Sequence, residues 1–133
     1  MSVFLDSNVV IYLIERTPDF GPIAAKCIQS LIGRGERLVV SDLVRMECRV
    51  RPLRSKDAIT LSALDNYFDS DDVDVTAITP GVCNRAAAIR AQYRYSPMDS
   101  LHLAAAVEHG CERFLTQDLR LAGFPDIAIE ALS

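Results

Sequence analysis

Apolar positions along this chain fall in short unbroken runs and in helical stripes, and the two alternate. Residues 2–5 form a brief apolar run of the kind a buried strand gives. From Ser7 to Arg16 apolar side chains lie nearly all round a helix, which predicts deep packing, and Thr17-Pro18-Asp19 breaks it. Ile23, Cys27, Ile28, Leu31 and Ile32 share one face of a helix over 22–32 that Gly33 and Gly35 end. Leu38-Val39-Val40 predicts a second strand over 37–40. Ser41 is then a natural N-cap and Asp42 suits the positive end of the next helix. That helix carries Leu43, Met46, Glu47 and Val50 before Pro52 disrupts it. Ile59, Leu61, Leu64, Tyr67 and Phe68 mark an amphipathic helix over 57–68. An acidic turn at 69–72 leads to a strand over 73–78. Pro80 opens a helix that contains Ala86-Ala87-Ala88. Ser96-Pro97-Met98-Asp99 is a dense start signal for a helix running to His109 and stopping at Gly110. A strand over 112–116, a short turn or helix through Leu121 and a strand over 127–131 complete the pattern. The β-α-β-α rhythm implies a parallel sheet with helices on both faces.

At 133 residues, half of them apolar, the chain is expected to be one domain spanning 1–133. No apolar stretch approaches the roughly 20 residues of a membrane-spanning helix, and no signal peptide is read at the N-terminus. The four cysteines, Cys27, Cys48, Cys83 and Cys111, are widely and irregularly spaced among apolar neighbours. They are expected to be buried reduced thiols rather than zinc ligands, and the protein to be cytoplasmic. The net charge of −4 argues against a nucleic-acid clamp that works by bulk charge. Twelve of the fourteen cations are Arg, the residue suited to bidentate phosphate contact. Arg45, Arg49, Arg51, Arg54 and Lys56 crowd one segment around Glu47. That segment is either a solvated face or a phosphate-binding one, and its closeness to Glu47 favours the second.

Four carboxylates stand where a parallel sheet has its working end. Asp6 closes the first strand. Glu47 lies on the helix after the second. Asp99 is in the first turn of its helix, and Asp118 follows the strand ending near Leu115. Ligands of open α/β sheets bind outside the carboxyl ends of the strands. Singly, each acid has a structural explanation: Asp6, Asp99 and Asp118 as caps or turn formers, Glu47 as a partner of Arg45, Arg49 or Arg51. Together, with apolar neighbours around Glu47 and Asp99, they need a cation or must take up protons. Converging acids suit a hard cation such as Mg²⁺, which makes metal-assisted phosphodiester hydrolysis the leading reading. Ser7, Asn8 and Thr116, in the turns beside Asp6 and Asp118, are candidates to orient a water or a phosphate oxygen. His102, one turn after Asp99, is either a packing histidine or a contributor to the site. A haloacid-dehalogenase-like phosphatase would need an Asp at position 8, which is Asn. A receiver-like phosphoacceptor would need a late Lys, and none follows Lys56.

Taken together, Val3-Phe4-Leu5-Asp6-Ser7-Asn8, Ser41 with Glu47, residues 97–106 (PMDSLHLAAA) and Phe114-Leu115-Thr116-Gln117-Asp118 resemble the PIN-domain nucleases. The likeness is to the VapC-type toxins of toxin–antitoxin modules, over essentially the whole chain. The resemblance implies a three-layer α/β/α fold with strand order 3-2-1-4-5. It also implies an endoribonuclease dependent on Mg²⁺ or Mn²⁺, with Asp6, Glu47, Asp99 and Asp118 as its acidic, metal-binding quartet. Ser7 stands where the family often has Thr, and Gln117 where Asn is common. Expected partners are RNA, held in part by Arg49, Arg51 and Arg54, a cognate antitoxin and a second copy of the chain. The competing expectation is a PIN-like RNA- or protein-binding module with little or no nuclease activity.

Overall fold

Five short strands form the sheet: β1 (Ser2–Leu5), β2 (Arg37–Ser41), β3 (Asp74–Thr76), β4 (Arg113–Thr116) and β5 (Ala128–Ala131). The computed structural model describes residues 1–133. The strands lie in the order β3-β2-β1-β4-β5 and every pair is parallel, with Phe4 opposite both Val39 and Phe114. Such pairing requires crossover connections, and six helices make them: α1 (Ser7–Glu15), α2 (Gly21–Gly33), α3 (Asp42–Arg54), α4 (Ala58–Asp69), α5 (Pro80–Tyr93) and α6 (Pro97–Glu108). A 3₁₀ turn, Leu119–Gly123, follows β4. Val3, Phe4 and Leu5 point to alternate faces yet are all fully buried, so helices cover both sides of the sheet. Phe4 stacks on Phe114 with ring centroids 5.2 Å apart, joining the two central strands at the middle of the core.

The expected elements are present, with four differences. Pro52 does not disrupt α3, which continues to Arg54. A proline this close to the C-terminus forfeits one hydrogen bond, and here the residue is buried. Strand β3 covers only three residues, on the edge of the sheet. The apolar helix α1 is deeply packed only at Val9 and Val10, while Ile11, Tyr12, Leu13 and Ile14 are half-buried. The cysteines are all free, but only Cys48 and Cys111 are buried; Cys27 is half-buried and Cys83 exposed.

Because all strands run the same way, the ends of β1, β2 and β4 lie along one edge of the sheet. The chain leaves β1 through Asp6, β2 through Ser41 and β4 through Thr116. Helix α6 begins at the Ser96 cap and brings Asp99 in its first turn. No helix is long and apolar enough to cross a membrane.

Candidate active site at the carboxyl edge of the sheet

Asp6 is the innermost of the four acids. Its backbone N–H donates to the Leu115 carbonyl at 3.0 Å, which pins the end of β1 to β4. Its carboxylate accepts from the Ser7 backbone N–H at 2.8 Å and from the Thr116 hydroxyl at 2.7 Å. The Asn8 amide lies 3.5 Å away. All of these donors are uncharged, and the side chain is almost wholly buried. Burial pushes the Asp6 carboxyl above its ordinary value; His102 and the hydrogen bonds pull it down, and the nearby charge of Asp99 pushes it up again.

Thr116 ties two acids to one strand end. Its hydroxyl donates to Asp6 and accepts the Asp118 backbone N–H at 3.0 Å. Asn8 spans the same gap, donating to Thr116 Oγ1 at 3.3 Å and accepting the Gln117 N–H at 3.2 Å. Gln117 in turn accepts the Leu132 N–H, fastening the chain beyond β5.

Glu47 pairs with none of the arginines of its own helix. Its Oε1 accepts the Ser7 hydroxyl in a short hydrogen bond and meets His102 Nε2 at 2.6 Å. His102 is buried, and its Nδ1 has no partner. Nε2 is the nitrogen that meets the Glu47 carboxylate, an acceptor, so the geometry puts a proton there, donating to Glu47. Burial pushes the Glu47 carboxyl up, but the bonds from His102 and Ser7 outweigh it and hold it below the ordinary value. From the sequence alone, His102 is either a packing histidine or a contributor to the site. Its spacing from Asp99 was visible; its bond to a residue 55 positions away was not.

Asp99 and Asp118 face the outer part of the site. Ser96 caps α6 by accepting the Asp99 N–H at 3.1 Å, but the Asp99 side chain does not reach back to Ser96, so its carboxylate is not spent on the cap. Asp118 accepts from Arg120 Nε at 2.9 Å and Nη2 at 2.5 Å, and this pairing holds its carboxyl below the ordinary value. The same guanidinium lies 3.9 Å from Asp99. Arg120, which no motif in the sequence marks, thus supplies the positive charge between these two acids.

The four acids therefore gather at one edge without closing on a point, and no three His, Cys, Asp or Glu side chains stand within reach of a single ion. In kind, the donors still fit a hard divalent cation. They are all carboxylate oxygens, and the most buried of them, Asp6, has only neutral partners and a second carboxylate beside it.

The remaining candidates are differently placed. Ser7 and Thr116 are buried, with their hydroxyls engaged by carboxylates. A substrate contact at either would require those bonds to be exchanged. Arg49 pairs with Asp65 of α4, and Arg51 bridges Glu15 at 2.9 Å and Asp57 at 3.0 Å. Arg45 lies over the Phe68 ring. Arg54 alone of the four has no acidic partner. The basic segment is thus divided over several helix faces.

A family model described as the PIN domain matches residues 3–128. No curated protein matches the sequence. Among solved structures, VapBC2 from Rickettsia felis, bound to a DNA fragment from its promoter, is similar over the whole of both chains, with a TM-score of 0.83 at 16% identity. VapC20 from Mycobacterium tuberculosis, a Sarcin-Ricin loop cleaving toxin, has a TM-score of 0.73 at 18% identity, covering 95% of this chain and 98% of that one. A toxin–antitoxin complex from Klebsiella pneumoniae has a TM-score of 0.67 at 21% identity, covering 95% of each chain. At such identities the likeness is one of fold.

Proposed function

The chain belongs to the PIN-domain family, and on that premise we propose that it is a divalent-metal-dependent endoribonuclease, the toxin of a toxin–antitoxin pair. One observation carries the reading: Asp6, buried at the sheet edge among neutral donors, with Asp99 close enough to oppose its ionisation. As the N-cap of α1 this position needs an oxygen acceptor for the Ser7 N–H, which an uncharged Ser, Thr or Asn would also supply; the cap does not require a charge. An Asp on the turn after a strand could have been solvated, and burying it has a cost that a cation would remove.

Asp6, Asp99 and Asp118 would hold Mg²⁺ or Mn²⁺, with Glu47 completing the set. When bound, such an ion lowers the pKa of water and offsets charge on the phosphodiester oxygens. The chain's own residues prepare the rest. Thr116 and the Ser7 N–H fix the Asp6 carboxylate in one orientation. His102 and Ser7 hold Glu47 ionised and turned inward, where it can accept a proton from an attacking water. Arg120 sits where it can leave Asp118 for a phosphate oxygen. No Ser, Cys or His nucleophile is needed. RNA and a cognate antitoxin are the proposed partners, in line with the toxin–antitoxin complexes whose fold the chain shares, and the cytoplasm is the proposed compartment.

The competing reading, a binding module without turnover, draws on the absence of three converging ligands and on the Arg120–Asp118 pair. One assay decides between them. The purified protein should cleave single-stranded RNA with Mg²⁺ or Mn²⁺ and stop in EDTA. Asp99→Asn should lose at least about 10²-fold in rate, as removal of a group that stabilises transition-state charge does. A folded Asp99→Asn protein with full activity, or cleavage undiminished by chelation, would reject the nuclease reading.

A further inference from the structure

We propose that the small cavity lined by Arg94, Tyr95, Ser96, Asp99 and Arg120 is a nucleotide subsite, with Tyr95 as the platform for a base and the two arginines as contacts for its phosphates. The proposal rests on the reading above for the class of ligand, single-stranded RNA. The cavity holds about 200 Å³, so it suits one group rather than a peptide segment. Asp99 forms part of its wall, which places any occupant beside the carboxylates.

Tyr95 is held as a platform must be. Its ring stacks on Tyr93 with centroids 5.9 Å apart and planes within 16°, and Phe124 meets it edge-on. One face is therefore backed by protein, and the ring is half-buried. The loop is fastened at each residue. Arg94 takes a left-handed conformation (φ 60°) and its N–H donates to the Arg90 carbonyl. Arg90 Nε donates to the Tyr95 carbonyl at 3.1 Å, and Ser96 caps α6. A site ordered before its ligand arrives does not spend binding energy on ordering.

The charges select the occupant. Arg94 is exposed and has no acidic partner; the Arg120 side chain is 80% exposed but pairs with Asp118, a bond it would exchange for one to a phosphate oxygen. A basic side chain from a protein partner would meet both as like charges. A free anion would have only the arginines to set against Asp99. A nucleotide adds base stacking, which is sequence-tolerant and works alongside cationic contacts to the backbone in single-strand binding.

The test is fluorescence anisotropy with labelled oligo(A) and oligo(U) RNA decamers, in EDTA so that the strands stay intact. Tyr95→Ala should weaken binding at least about fivefold, more for oligo(A) than for oligo(U), and Tyr95→Phe should restore it. Arg94→Gln should lower the slope of log K against log salt by about 0.7, one phosphate contact to a single strand. Should Tyr95→Ala fail to fold by circular dichroism, Arg94→Gln decides, because that side chain packs against nothing acidic. Wild-type affinity and salt slope in the folded variants would overturn the subsite. If wild type cleaves RNA with Mg²⁺ while these variants bind normally, the nuclease reading stands and the subsite falls. If the variants lose binding but wild type cuts nothing, the subsite stands and the nuclease reading falls. A wild type that binds neither decamer overturns the subsite, and the nuclease reading is then decided by the cleavage assay with Mg²⁺ alone.

Discussion

At the scale of single residues, three of the four acids of the proposed site have surroundings that set their ionisation. Asp118 has Arg120, Glu47 has His102 and Ser7, and Asp6 has its burial and a neighbouring acid set against His102 and neutral hydrogen-bond donors. Asp6 is therefore the residue at which function opposes stability. Its folded-state pKa is raised above the ordinary 3.8, so the folded chain binds a proton there more readily than the unfolded chain does. The cost of ionising it is absent below the ordinary value and appears as the pH rises through the raised one. In EDTA, Asp6→Asn should melt a few degrees above wild type at pH 7.5 and lose that advantage by about pH 3.5. Equal melting temperatures at pH 7.5 would show that burial of this carboxylate costs the apo protein nothing.

Among the elements, helix starts and stops were set by local chemistry where it was strong. Thr79 and Ser96 cap α5 and α6 through their hydroxyls, and Pro80 and Pro97 take the first helical position. Ser41 occupies the cap position of α3, but its hydroxyl is buried and bonds to nothing, so α3 starts without that contribution. Asp57 caps α4 with both carboxylate oxygens. It accepts from the Thr60 N–H at 3.0 Å and the Thr60 hydroxyl at 2.7 Å, and it pairs with Arg51, which together depress its carboxyl to about 2. For a depressed carboxylate the stability is present above the ordinary value and lost as pH falls through the folded one. Asp57→Ala should therefore lower the melting temperature at pH 7, and the gap to wild type should close between about pH 4 and pH 2. A gap independent of pH would mean that the charge contributes nothing to this cap.

For the molecule as a whole, burial on both faces of β1 and β4 makes a core of 30 residues that anchors the strand ends. What it leaves outside is informative. Met46, Val50 and Leu53 recur at helical spacing on α3 and stay exposed, Leu53 at 55%. Val50 lies three residues after Glu47, one turn along the same helix, so a partner covering the stripe would lie beside the site. If the proposed antitoxin docks there, Leu53→Glu should weaken the complex at least about tenfold, since a charge would replace a buried apolar contact. The urea midpoint of the free protein should not move. Unchanged affinity, measured by titration calorimetry, would place the antitoxin elsewhere.

Periodicity, capping residues and breakers are properties of neighbours in the chain, and they were enough to predict every helix and strand and the parallel sheet. The resemblance of the motif segments supplied the strand order. Two local readings failed because longer-range packing overruled them. Pro52 stays helical where the residue is buried, and α1 keeps a half-exposed flank despite apolar residues all round. The position of each acid at a strand end or helix start was also legible, since it needs only the element boundaries. What each acid touches was not. Glu47 bonds to residues 40 and 55 positions away, Thr116 to Asp6 across 110 positions, and the clustered arginines are drawn to Glu15, Asp57 and Asp65 on other helices. A side chain's partner depends on which helix faces meet, and only the folded sheet, by bringing distant strand ends to one edge, decides that.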